Sequence, residues 1–413
     1  GGDFGFMDAV GTDGRRLQHR GGGVIRFRPD GTGLELFATG TRNILGTPMS
    51  PLLDMFARDN TNDGGGWDVR LHHFSGLEDH GYPRLYKNFS KEHIQPLADY
   101  GGGSGCGSVY IHEPGFPTEW ANAPFTCDWG RAATFHHSVK RQGATFVETD
   151  TPKPFIKVTR PTDADVDAMS RVYQASWKGP ATFNWAGPDH GYIIRVTPTG
   201  FEPEPLPEFE KLTDAALIEL LESPSHIRAL TAQRTLLHRE EIPSTTSALL
   251  KLAKDQSKEL RARVAALYAL TQRGIDSRQS SGVIQTIKPL LQDRSLLAFV
   301  MRAIGDLGMD QLTRGEPGPA PLDWLRMGLK SSDPRTRLEA IIASARQNNV
   351  ETGEAIAASL GYADSTIAHT AFRALAMLRD SQSCFAILDT TQSHTEQRKG
   401  ASFALMRMHR SDV

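Results

Sequence analysis

The spacing of apolar positions changes once along the chain, near residue 205, and the change divides it into two unlike halves. Before that point apolar residues alternate with polar ones in short runs closed by Gly, Pro, Asn or Asp, which predicts strands and tight turns. After it they recur at helical spacing in segments of two to four turns separated by polar breaks, which predicts paired helices.

In the first half, residues 21–40 (GGGVIRFRPDGTGLELFATG) read as two strands joined by a Pro-Asp-Gly turn. The same plan is predicted at residues 133–149, turning at Gly143, and at 191–204, turning at Gly200. Apolar strands precede these two, PFTCDWG (124–130) and RVYQASWKG (171–179), and place Trp129 and Trp177 at matching points. Four-stranded units returning roughly every 40 to 60 residues with aromatic and glycine punctuation predict a β-propeller interrupted by loops. In the second half, segments 220–237, 252–270 and 329–345 each carry a polar turn, an arginine (Arg228, Arg261, Arg335) and a small-residue stripe. Looser copies occupy 290–307, 362–378 and 393–408. Two helices in roughly 30 to 40 residues predict an α-solenoid of HEAT or armadillo-like repeats, with Ala232, Ala265, Ala340 and Ala371 at helix contacts.

The expected fold is therefore multidomain β + α: a β-propeller over 1–205, a Pro-rich acidic linker at 206–211, and helical repeats over 212–413. A length of 413 residues suits more than one core. The final repeat has no polar cap before Val413, so the array reads as truncated. A formal net charge of −2 argues against nucleic acid or an anionic membrane as partner. No apolar run reaches the ~20 residues of a membrane span. Three cysteines, Cys106, Cys127 and Cys384, provide no disulfide framework and no C-x-x-C-H haem attachment site.

Candidate chemistry gathers in three loops of the first half. Arg42 and Asn43 follow a strand, and an Arg fork beside an Asn amide can grip a planar polyanion. DNTNDGGGWD follows, with oxygen donors on Asp59, Asn60, Asn62 and Asp63 around a flexible backbone, a pattern suited to a hard cation or to a capped turn. Asp163, Asp165 and Asp167 alternate as on a strand face, which suits either a partial calcium shell or a solvated edge.

These segments, taken in order, also carry a resemblance. GGGVIRFRPDGTGLELFATGTRN, NTNDGGGWDVRL, HGYPRLYKNF, GGGSGCGSVYIHEPGFP and RPTDADVDAMSRVYQASWKG resemble the propeller of planctomycete membrane-bound dehydrogenase-like proteins. That group is related to soluble pyrroloquinoline quinone (PQQ)-dependent glucose and sorbosone dehydrogenases. The resemblance spans nearly all of residues 1–200 and implies a six-bladed propeller, here partial and lacking its N-terminal blades, that continues into HEAT-like repeats. It implies oxidation of a sugar or polyol, with PQQ as cofactor and an acceptor such as a cytochrome c domain. Arg42 and Asn43 would hold the quinone carboxylates, with Lys178 as a further basic residue near the quinone. Asp3 would orient a catalytic His lying upstream of Gly1, so activity is expected only of a longer protein. Asp59, Asn62, Asp63 and Asp68 would stand at a calcium position, although Trp67 and Asp68 replace the Asp-Glu-x-Asn step of the sugar dehydrogenases. The resemblance implies a periplasmic or extracellular location. Two other readings stay open: a non-catalytic propeller that binds carbohydrate or protein, with the helical array as a docking scaffold, and a calcium-dependent lactonase.

Overall fold

A computed structural model describes residues 5–62, 67–83, 85, 88–178, 187–240, 242–276, 280–313 and 320–409. Among them the first half forms a series of small antiparallel sheets and the second half a stack of helices, with no closed barrel.

Strands β1 (Phe6–Val10) and β2 (Arg16–Arg20) pair alone, as do β3 (Gly22–Arg26) and β4 (Glu35–Thr41). The β3–β4 hairpin is the one read from residues 21–40. Its turn closes through Gly31, whose φ of +83° suits glycine, while Asp30 accepts the Thr32 amide. Next come β5 (Met55–Asn62), β6 (Trp67–Phe74) and β7 (Ala98–Gly102) in one sheet. A four-stranded sheet follows, ordered β13 (Lys153–Lys157), β10 (Ala133–His136), β9 (Ala123–Asp128) and β8 (Gly105–Ile111). Between β10 and β13 the chain inserts a separate hairpin, β11 (Val139–Gln142) and β12 (Thr145–Glu148), turning at Gly143. The last sheet runs β14 (Pro161–Val166), β15 (Val172–Trp177) and β16 (Gly191–Val196).

The hairpin expected at 191–204 is half right. Its first strand, β16, pairs backward with β15, and no strand follows Gly200 in the described residues. Pro203, Pro205 and Pro207 withhold amide donors from any returning strand. Cys106, Cys127 and Cys384 are free and buried. Asp163 and Asp165 lie on the exposed face of β14 and each accepts the amide of the next residue. Asp167 instead closes the turn to β15, accepting from the Met169 and Arg171 amides and the Arg171 guanidinium.

The helical half begins with α1 (Asp214–Leu220) and α2 (His226–Leu237). It continues with α3 (Pro243–Lys254), α4 (Leu260–Asp276), α5 (Ser280–Ile287), α6 (Leu297–Thr313), α7 (Leu322–Leu329) and α8 (Pro334–Arg346). It ends with α9 (Gly353–Ala357), α10 (Ser365–Leu378), α11 (Ser381–Asp389) and α12 (Thr395–Met408). Thr213, Ser225, Asp333, Asp364 and Asp380 cap helix starts with side-chain oxygens, each satisfying amides that the first turn leaves unpaired. Ala232, Ala340 and Ala371 are fully buried at helix contacts, but Ala265 is only partly covered; Ala262, Ala266 and Ala269 fill that role on α4.

The repeat arginines act as staples. Arg228 donates to the carbonyls of Glu204 and Pro205, and Arg261 to those of Glu222 and Ser223, so each ties its helix to the segment before it. Arg335 makes the same kind of bond across the two halves, to the carbonyl of Leu52 at 2.7 Å and to Asp54 at 3.0 Å. Other helices do likewise. Arg302 on α6 donates to Leu53 O, Arg373 on α10 to Leu77 O, and Arg407 on α12 to Glu92. Arg346 on α8 is fully buried and donates to Glu35 at 2.8 Å and Asp306 at 3.3 Å, while Arg26 bridges the same two carboxylates. Leu77 and Ala144, from turns of the first half, enter the helical core, while the sheets keep two apolar clusters of their own. One face of the array is thus occupied by the chain's own first half.

Candidate functional site

The site is built where two motifs from distant parts of the sequence meet. At the end of β4, Gly40 has φ +75°, and a Cβ there would stand 2.2 Å from Asp79 Oδ1 and 2.4 Å from Gly81 N. Only glycine permits that approach. It lets Thr39 and Asp79 form a parallel bridge, with Thr39 N donating to Glu78 O and Tyr82 N to Gly40 O. The G-T-R-N and H-G-Y-P steps therefore lie side by side.

Beyond Gly40 the chain turns over Asp59 of β5. Asp59 accepts the Arg42 amide at 2.9 Å and the Asn43 amide at 2.7 Å, and it is 1% exposed. Burial raises its pKa against the opposing pull of those amides. The Arg42 guanidinium is also buried and donates to Asn60 O at 3.0 Å. The Arg-Asn step thus grips Asp59 through its backbone.

Asp59 opens onto a cavity of about 250 Å³ whose walls include Thr61, Arg70, His72, His80, His93 and Asp99. Strand alternation puts Asp59 and Thr61 on one face of the β5–β6 ladder with Arg70 and His72 opposite or diagonal to them. Arg70 donates to Asp99 at 3.0 Å and to the Thr61 hydroxyl. His72 Nε2 lies 3.9 Å from Asp59 Oδ2, and burial lowers the imidazole pKa to about 3, so this is a contact between a carboxyl group and a neutral ring. His80 packs edge-on against His72 at 4.5 Å and is also held neutral by burial. Both of its ring nitrogens, and Nδ1 of His72, are buried with no partner among the described residues. Behind the site, His369 of α10 accepts the Asp79 amide through Nε2, so the helical half supports the loop that carries His80.

The expected residues are brought together only in part. Asp59 lines the cavity, while Arg42 and Asn43 stand behind it. Lys178 is exposed past the end of β15, where its amide donates to His190 O, and it is not part of the cavity wall. Asp3, Asp63 and the side chain of Asn62 lie outside the described residues. Asp68 pairs with Thr61 across the ladder, and its carbonyl accepts the Thr61 hydroxyl. No three His, Cys, Asp or Glu side chains gather as metal ligands among the described residues. Asp59 already accepts two amides and faces the Arg70 charge, and the donors expected beside it on Asn62 and Asp63 lie outside the described residues.

A second polar cluster was not anticipated. Arg58, 1% exposed, donates to Asp128 at 2.7 Å and to the Thr126 hydroxyl at 3.0 Å. Thr126 Oγ1 lies 2.7 Å from His137 Nε2, His137 Nδ1 lies 2.7 Å from Glu148, and Tyr100 donates to Glu148 at 2.9 Å. The order Glu-His-Thr is that of a nucleophile with its base, but Thr126 is wholly buried and no substrate reaches it. The cluster pairs both terminal nitrogens of a buried arginine between sheets, while its Nε has no partner among the described residues. The visible signal for both groups was the doublet of histidines, His72-His73 and His136-His137. On a strand, neighbours point to opposite faces, and here both faces are covered, so all four imidazoles are buried.

No protein-family model and no curated protein matches the sequence. Among solved structures, a Thermus thermophilus protein described as a candidate oxidoreductase (glucose dehydrogenase) is 14% identical, with a TM-score of 0.36. The match covers 46% of this chain and 63% of that one, so the chain spans less than two thirds of its length. A designed armadillo repeat protein is 15% identical over 48% of this chain and 100% of its own, with a TM-score of 0.29. Human deoxyhypusine hydroxylase in complex with glycerol is 20% identical over 48% and 74%, with a TM-score of 0.22. Scores this low carry no weight for function. No helix among the described residues is long and apolar enough to cross a membrane.

Proposed function

We propose that the first half is part of a six-bladed β-propeller, that the second is a HEAT or armadillo-like solenoid, and that the cavity at the Gly40–Tyr82 junction binds a sugar or polyol as the substrate site of a dehydrogenase-like protein. The fold reading is supported by sheet order: β8, β9, β10 and β13 form a four-stranded meander, interrupted by one hairpin, as a propeller blade does. The functional reading rests on the cavity wall. A neutral imidazole offers one donor and one acceptor, which matches a hydroxyl group, and His72 and His80 leave such atoms buried without partners among the described residues. Arg70, Thr61 and Asp99 extend that polar wall around a space of small-molecule size.

For oxidation of an alcohol the protein must accept the hydroxyl proton. Asp59 suits this better than His72, because burial raises the carboxyl pKa and so makes its carboxylate a stronger base, while it lowers the imidazole pKa to about 3 and makes that ring a weaker one. The Arg42 and Asn43 amides fix both Asp59 oxygens in place. The quinone that the sequence resemblance implies would supply hydride acceptance. Its assigned clamp does not fit that role in this arrangement: the Arg42 guanidinium is buried on Asn60 O, and the arginine on the described cavity wall, Arg70, is already paired with Asp99. No step is therefore derived through it.

The test is titration calorimetry of the whole protein with a panel of aldoses and polyols, repeated with Asp59→Asn and in the presence of PQQ and a reducible dye. Binding with dye reduction that Asp59→Asn abolishes supports the dehydrogenase. Binding without reduction selects the non-catalytic carbohydrate-binding alternative, and no binding by any sugar rejects the cavity as the site.

A further inference from the structure

A second cleft lies where the β3–β4 hairpin and the loop before β5 meet α2, α4 and α6. It encloses about 580 Å³, with Phe27, Leu53, Leu237, Ile275 and Met309 among its apolar walls. An adjoining space of about 420 Å³ shares Met49, Leu53, Arg234, Tyr268 and Gln272 with it, so the two lie side by side between the halves. Such junctions are common ligand sites, and this volume lies within the usual range for small molecules.

Two observations point to an occupant. The Tyr268 hydroxyl is buried with no hydrogen-bond partner among the described residues, on a residue that lines both spaces and is 8% exposed. An unpaired buried hydroxyl is costly, and a ligand oxygen bonded to it would recover that cost. The charge at the rim of the cleft is also positive. Of the arginines that line it, Arg26 is compensated by Glu35 and Asp306, and Arg302 by Glu339, whereas Arg28 and Arg234 stand at the rim. Arg234 stands exposed on α2 with no ion pair among the described residues. Phe27, 56% exposed, extends the apolar wall towards solvent.

We propose that this cleft binds an amphipathic anion: an aliphatic or aromatic body packed between the halves, with one carboxylate, sulfonate or phosphate at the arginine rim and an oxygen within reach of Tyr268. The site is separate from the polyol cavity, and its occupancy does not depend on turnover there.

The experiment uses the whole protein with 1-anilinonaphthalene-8-sulfonate as fluorescent probe and dodecanoate as competitor. The expected result is saturable binding at one site, displaced by dodecanoate and not by dodecyltrimethylammonium, which has the same tail and the opposite charge. Leu237→Trp, which fills the cleft, and Arg234→Glu, at the exposed rim, should each weaken binding about tenfold or more, as loss of a buried contact or charge pair does. Tyr268→Phe should weaken it several-fold without lowering the melting temperature, a second readout that does not depend on the bulky substitution folding well. Non-saturable fluorescence, equal displacement by the cationic amphiphile, or binding indifferent to both Arg234→Glu and Tyr268→Phe would overturn the proposal.

Discussion

Arg346→Met removes one of two guanidinium groups that hold the sheet half to the helical half at a single buried point. In the intact protein Arg346 and Arg26 share Glu35 and Asp306, two positive groups against two negative ones, and the Arg346 side chain has no exposed surface. Both carboxyl groups have lowered pKa values despite their burial, because the arginines compensate for lost hydration. Methionine keeps most of the volume but leaves Glu35 and Asp306 competing for Arg26. Breaking a buried pair in this way costs about 3–5 kcal/mol, since one charge stays buried without its counter-charge. Arg346→Met combined with Glu35→Gln restores neutrality, so the double variant should be more stable than the two single losses added together predict, by about 1–3 kcal/mol. Urea unfolding followed by both tryptophan fluorescence and far-ultraviolet circular dichroism measures this. The single variant should also separate the two signals, as the halves begin to unfold apart. A single-variant loss below about 1 kcal/mol, or strictly additive losses, would refute the idea that this charge group couples the halves.

Other tests address other links. Burial raises the pKa of Glu113, which accepts the Ile227 amide at the start of α2, from 4.5 to about 7. The folded state therefore holds its proton more tightly than the unfolded chain, and up to about 3 kcal/mol of stability present below pH 4.5 should fade as pH rises through 7. Glu113→Gln should flatten that part of a melting-temperature profile. Gly40→Ala should cost more than about 1 kcal/mol, because φ +75° and the Asp79 and Gly81 contacts both exclude a Cβ, and sugar affinity should fall with it on calorimetry. Asp364→Ala removes the cap of α10 and the acceptor of the Ala144 amide together, and chemical denaturation should show a loss above the ~1 kcal/mol of a cap alone.

Local features were the legible ones. Pro29, Asp30 and Gly31 announced a hairpin because turn chemistry is set by neighbours, and the repeat arginines stood out because they recur at a fixed place in each helix pair. Their acceptors were invisible: nothing near Arg335 in sequence indicates Leu52 O, and nothing near Arg346 indicates Glu35. The same limit governed the site. Asp59 was recognisable as a polar strand residue, yet its surroundings depend on a close approach at Gly40 that joins residues 39–42 to 78–82. Arg42 and Asn43 were singled out for side chains, whereas their backbone amides do the visible positioning. His72 and His80 were not singled out because one lies on a strand and the other in a loop, and only the Thr39–Asp79 bridge brings their rings together.

The row of arginines along the helices has a consequence for how this chain can change over time. In a free-standing solenoid one helix pair is much like another, and pairs can be gained or lost with little penalty. Here four of the helices each have their own address on the first half: Arg302 at Leu53, Arg346 at Glu35, Arg373 at Leu77 and Arg407 at Glu92. Deleting one of these helix pairs would bring every later arginine to the wrong address, so the number of repeats is locked to the spacing of the loops and the strand end they grip.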